Sequence, residues 1–201
     1  MKFLGTGSAL PKKVVSNDDL AQVMDTSDEW IRSRTGIGMR HIAVEETTTS
    51  MAVEAAEKAL ADAKISGCEI DLIIAGTISP DYIFPSLACE VQAAIGAKSA
   101  TAFDLSAGCS GFLFALSTAQ VYIASGRFKN ALLIGAEVLS KIMDWNDRST
   151  CVLFGDGAGA AVVRADEENI CHVVQGSDGA KGLVLACENR PVNNPYHKME
   201  S

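Results

Sequence analysis

Cys109 lies in Thr101–Leu116, TAFDLSAGCSGFLFAL, where a short apolar run meets a helical one, and Gly108 and Gly111 stand close on either side. The start of a helix carries unpaired N–H groups and about half a positive charge, which favour a thiolate over a thiol. Cysteines so placed have pKa values below the free value of about 8.5, and the thiolate is the attacking species in nucleophilic catalysis. The glycines allow a sharp turn and close approach of a substrate. The same pattern also fits a buried structural cysteine beside a tight turn, and the local sequence leaves both readings open.

Trp30 and Arg34 stand four apart in Asp28–Thr35, DEWIRSRT, so on a helix they share a face. Guanidinium planes stack on aromatic rings and pair with phosphates, but nothing local marks these residues as a binding site. The alternative is a surface helix whose Trp covers core and whose Arg is solvated. Phe84, in DYIFPS, reads by itself as ordinary core. Gly155, Gly157 and Gly159, in FGDGAGAA, are followed by AAVVRAD, a strand pattern, whereas a dinucleotide fingerprint needs a helix there. A tight hairpin near the reactive cysteine is expected instead. No P-loop, zinc or EF-hand pattern is present.

The elements that must hold these residues alternate in period. Ile70–Ile78, Thr101–Leu105 and Asn130–Val138 are short apolar runs that predict buried strands. Between them lie three helical patterns: Thr49–Ala63 with Thr48 or Thr49 as N-cap, Ser86 to Gly96 after Pro85, and Ser110–Ser125, the last apolar on several sides. This order predicts an α/β layer with parallel neighbours. Cys151–Arg164 and Ile170–Gly176 predict further strands that add antiparallel partners, and Asn189–Ser201 a loop.

The 201 residues suffice for a sizeable core, and the 48% apolar and 21% charged fractions are those of a globular protein. A net charge of −8 disfavours nucleic acid as a partner. No run nears the ~18 apolar residues of a membrane span, and MKFLGTGSALPKKVV lacks the apolar centre of a signal peptide. A cytoplasmic location follows as the expectation. The six cysteines are spread without a CxxC pair, which argues against a metal site or a disulfide framework and for core thiols at all but position 109.

SAGCSGF resembles the active-site segment of the β-ketoacyl-acyl-carrier-protein synthase III family, within the thiolase-like condensing enzymes. LGTGSALPKKVVSNDDL, SDEWIRSRTGI, FPSLACEVQAAIG and FGDGAGAAVV resemble other segments of the family in the right order, so the likeness spans nearly the whole chain. It implies a thiolase-like α/β fold with a mixed central sheet, residues 1–201 forming the first half of a duplicated layered architecture. It implies that Cys109 takes an acyl group from acyl-CoA and that malonyl-acyl-carrier protein then condenses with it, giving a 3-oxoacyl product in the initiation of fatty-acid synthesis. Acyl-CoA is then a substrate, and no cofactor is implied. By the same likeness Trp30 and Arg148, in WNDRST, enclose the adenine, Arg34 contacts phosphate, and Phe84 crosses a two-fold axis of a homodimer to shape the partner's acyl pocket.

The family's decarboxylation step uses a histidine and an asparagine from its second half. His41, His172 and His197 sit in no matching motif. The expectation is therefore a truncated chain, inactive in the full condensation and exposing an apolar half-interface. A non-catalytic remnant, an assembly partner, or a priming synthase of secondary metabolism are the rival readings.

Overall fold

The structure, a computed structural model, describes residues 1–166, 172–189 and 191. Its centre is a five-stranded sheet in the order β1 (Lys2–Ala9), β7 (Asp156–Arg164), β6 (Asn130–Val138), β4 (Leu72–Gly76), β5 (Thr101–Leu105). β4 pairs in parallel with both β5 and β6, while β7 runs antiparallel to β6 and β1. The sheet is mixed, as the sequence predicts. A separate antiparallel pair, β2 (Lys13–Ser16) with β3 (Met39–Ile42), flanks it.

Strand periodicity assigns each face of the sheet its own core. Ile73 and Ala75 of β4 turn toward α3 (Thr48–Ala63) and α4 (Leu87–Ala94), and Leu72 and Ile74 turn toward α5 (Gly111–Ala124). The stripe Ala52, Ala55, Ala56 and Ala59 of α3 is fully buried. Small residues let the helix lie directly on β1: a Cβ at Gly7 would stand 2.2 Å from the Ala55 carbonyl oxygen. The third cluster joins α1 (Asn17–Ala21), α2 (Asp28–Thr35) and α6 (Arg148–Cys151) around Leu20, Ile31, Cys151 and Val152.

Several sequence boundaries move. The N-cap of α3 is Thr47, whose hydroxyl accepts the Ser50 N–H while Ser50 Oγ accepts the Thr47 N–H. Cys151–Gly155 is no strand, because Asp147 caps the short α6 there. Gly157 and Gly159 lie inside β7 rather than in a hairpin, since Gly159 pairs with both β1 and β6 and Gly157 with β6. Residues 172–176 form no strand, and 170–171 lie outside the described residues. α5 packs on one side only: Leu113 and Val121, on its other side, are exposed.

The loop from Thr77 to Ser86 is held by two carboxylates. Glu137 accepts the backbone N–H groups of Ile78 and Ser79 at 2.9 and 3.0 Å. Asp81 accepts those of Thr48 and Thr49 at the start of α3, at 3.2 and 2.7 Å, and Lys141 Nζ at 3.0 Å. Burial alone would raise the Asp81 pKa, but the hydrogen bonds from Thr49, Lys141 and Thr47 outweigh it and hold the carboxyl well below its usual range. A carboxyl lowered in the folded state stabilises the fold above its unfolded pKa of about 4 and loses that contribution as pH falls. Asp81→Asn is expected to lower the thermal midpoint at neutral pH and to flatten its decline below about pH 4. Melting curves followed by circular dichroism across pH check this, and equal stability at pH 7 would refute it.

Candidate active site

β5 ends at Leu105, and its continuation Ser106–Ala107 leads into a single 3-10 turn, Gly108–Ser110, that opens α5. Gly108 adopts φ +51°, a left-handed conformation that glycine takes without a Cβ penalty. The turn places Cys109 at the N-terminal, positive end of a 14-residue helix, and its side chain is exposed. An open cleft of about 500 Å³ is lined by Leu105, Ser106, Ala107, Ser110, Phe114, Thr118, Gly176 and Ser177, so Ala107 and Ser110 on either side of Gly108–Cys109 face it, while Cys109 itself is not among its lining residues. Of the two readings the sequence leaves open, the sealed structural thiol is excluded.

The other cysteines differ from the sequence expectation in part. Cys151 is buried, with its Sγ 3.6 Å from Met24 Sδ, and burial first, then the nearby Asp147, pushes its thiol pKa up. Cys89 is half-buried, but Cys68 and Cys187 are exposed rather than in the core. Cys68 falls in a surface 3-10 turn, and Cys187 in a segment without regular structure. Cys171 and His197 lie outside the described residues. His41 Nδ1 is 2.6 Å from the Pro11 carbonyl oxygen, a structural bond, and His172 is exposed rather than in a strand.

A second centre forms around Trp30. Ser27 caps α2 by accepting the Trp30 N–H at 3.1 Å. Arg34, one turn on, sets its guanidinium carbon 4.5 Å from the indole centroid, and Arg148 sets its own at 5.1 Å. Arg148 Nη1 also donates to the Asp25 carbonyl oxygen at 2.5 Å. The structure thus brings together three predicted residues, one of them 118 positions from Trp30 in sequence. Two guanidinium groups beside one indole suit a planar, phosphate-bearing ligand.

Phe84 is not core. It is 89% exposed, next to Ile83 and Tyr82, which are 81% and 58% exposed. It does not line the Cys109 cleft of its own chain. Sequence reasoning missed Asp81 and Glu137, which hold this loop, because their partners lie 32 to 60 positions away and no local motif marks them.

A family profile described as 3-oxoacyl-[acyl-carrier-protein (ACP)] synthase III matches residues 103–179, the stretch that carries Cys109. A β-ketoacyl-[acyl-carrier-protein] synthase III of Clostridium acetobutylicum is 52% identical over 197 residues, 98% of this chain and 61% of the relative. The crystal structure of 3-oxoacyl-[acyl-carrier-protein] synthase III from Aquifex aeolicus VF5 superposes with TM-score 0.81 at 58% identity, covering 83% of this chain and 54% of that one. This chain belongs to the β-ketoacyl-acyl-carrier-protein synthase III family. The priming β-ketosynthase of the R1128 polyketide pathway is also similar, at 41% identity and TM-score 0.80, over 83% of this chain and 50% of that one. The chain spans about six-tenths of the length of the curated relative named above, and its architecture is the thiolase-like one.

In this synthase III chain the exposures of the thiols give a direct check. Brief alkylation of the native protein with iodoacetamide is expected to label Cys109, Cys68 and Cys187 and to spare Cys151 until denaturant is added. Peptide mass spectrometry reads the sites, and labelling of Cys151 at the rate of Cys109 would refute the placement.

Proposed function

We propose that Cys109 is the acyl acceptor of a priming condensing enzyme of fatty-acid synthesis, loaded from an acyl-CoA. The observation that carries this reading is an exposed thiol at the positive end of α5, flanked in sequence by the cleft residues Ala107 and Ser110, in a chain whose Trp30 ring has the guanidinium carbons of Arg34 and Arg148 at 4.5 and 5.1 Å from its centroid. The Cys109 thiolate attacks the thioester carbonyl carbon, the C–S bond to CoA breaks, and the CoA thiolate leaves and takes a proton from solvent. The enzyme then carries an S-acyl group on Cys109. The second half-reaction needs the histidine and asparagine that the family likeness assigns to a second half: with them, malonyl-acyl-carrier protein would lose CO₂, the resulting carbanion would attack that acyl carbon, and Cys109 would be released as thiolate while a 3-oxoacyl-acyl-carrier protein forms.

A homodimer belongs to this reading. Among the described residues β5 pairs with no strand but β4, which leaves its outer edge open to a further strand, and the exposed Tyr82–Phe84 tip lies on the loop that follows β4. A second copy supplies cover for both, and Phe84 then bounds the partner's acyl pocket. The likeness to a polyketide priming ketosynthase supports a second reading, in which the same chemistry primes a secondary-metabolite carrier.

Incubation with acetyl-CoA followed by intact-mass analysis tests the acyl-acceptor step. One acetyl group per chain is expected, removable by neutral hydroxylamine as a thioester is, and none on Cys109→Ser. A folded wild-type chain that gains no acetyl group would overturn the reading in favour of a non-catalytic role.

A further inference from the structure

The two sides of the Trp30 slot come from different elements, Trp30 and Arg34 from α2 and Arg148 from α6, and a chain of buried polar groups joins them. Asn17 is 1% exposed. Its Nδ2 donates to Asp28 Oδ1 at 2.8 Å and to the Ile37 carbonyl oxygen at 2.7 Å, and its Oδ1 accepts Arg40 Nη2 at 2.8 Å. The same Nη2 donates to the Val152 carbonyl oxygen at 3.2 Å, and Nη1 donates to that of Val15 at 3.3 Å. Asp28 is the first residue of α2, two before Trp30, and Val152 is the C-cap of α6, four after Arg148. The path Asp28–Asn17–Arg40–Val152 therefore spans from one wall of the slot to the other.

This path is an expensive way to fill a core. Arg40 is 6% exposed, none of the four acceptors of its Nη groups and of Asn17 Nδ2 other than Asp28 carries charge, and its Nε is buried with no hydrogen-bond partner among the described residues. Apolar side chains packed beside Leu20, Ile31 and Val152 would fill the same space, but would not fix the separation of two helices through directed bonds. That separation matters for a ligand. At 5.1 Å from the Trp30 centroid, Arg148 leaves no room for a third planar group, because each of the two contacts of a sandwich takes about 3.5 Å. The distance from α2 to α6 decides whether Arg148 can re-stack once a ring has entered.

We propose that Asn17 and Arg40 are positioning residues for the nucleotide end of the acyl donor: they set the spacing between Trp30 and Arg148. The proposal rests on acyl-CoA being the donor that loads Cys109. Its test compares loading of the full 201-residue chain by acetyl-CoA and by acetyl-pantetheine, which carries the same thioester without the nucleotide. The wild type is expected to load faster from acetyl-CoA at equal concentration. In Asn17→Ala that advantage is expected to fall about ten-fold, in KM for acetyl-CoA rather than in the rate at saturation. A purely structural role would lower the melting temperature but leave the ratio between the two donors unchanged, so an unchanged ratio in folded variant overturns the proposal. Should Asn17→Ala lose cooperative unfolding, Arg40→Lys takes its place: it keeps the charge, but one ammonium cannot span the three oxygens that the guanidinium holds. A wild type that loads equally from both donors also overturns the proposal, whereas a wild type that loads from neither refutes the acyl-acceptor reading itself.

Discussion

The parallel pairing of β4 with β5 and β6 is the constraint on which the rest depends. All five residues of β4 are buried, and its register with both neighbours is unbroken from Leu72 to Gly76. Parallel strands end on the same side of a sheet, so the segments that follow them gather there. After β5 comes Cys109, after β4 the loop with Phe84, and after β6 the stretch that ends in Arg148. Three residues spread over 65 positions owe their common location to one ladder. Trp30 and Arg34 arrive by another route, on α2.

Carboxylates then tie each segment down. Asp104, on β5, accepts the N–H groups of Leu87 and Ala88 at the start of α4, at 2.7 and 2.8 Å. The buried Asp156, on β7, accepts those of Ala43 and Ser140 at 2.7 and 2.9 Å, so it joins the segment after β3 to the segment after β6. Together with Asp81 and Glu137 these groups satisfy backbone donors that regular structure leaves open. The polypeptide uses anionic side chains as clips between its layers, which accounts for part of its acidic balance without an appeal to any charged partner.

Much of the fold was legible because it repeats. The alanine stripe of α3 and the apolar runs of β5 and β6 follow periods that the sequence displays directly, and the observed bounds of those two strands match the expected ones. The candidate site was only half legible in local chemistry: Cys109 between two glycines and Trp30 and Arg34 one helical turn apart each also fitted a structural reading, and the family likeness supplied their roles. Other features had no local signal. α6 is four residues long and its cap is a single aspartate, too little for any periodicity. The exposure of Phe84 could not be read from its neighbours, since nothing in DYIFPS tells an exposed aromatic from a core one. Arg40 meets Val152 across 112 positions, and nothing in MRHI announces a guanidinium that crosses a core.

The Trp30 ring is shared with the molecule's own cations: the guanidinium carbons of Arg34 and Arg148 lie 4.5 and 5.1 Å from its centroid. Under the acyl-CoA reading proposed above, a purine stacking there would compete with a resident guanidinium, and the affinity of such a site would be the difference between two stacks, smaller than either one.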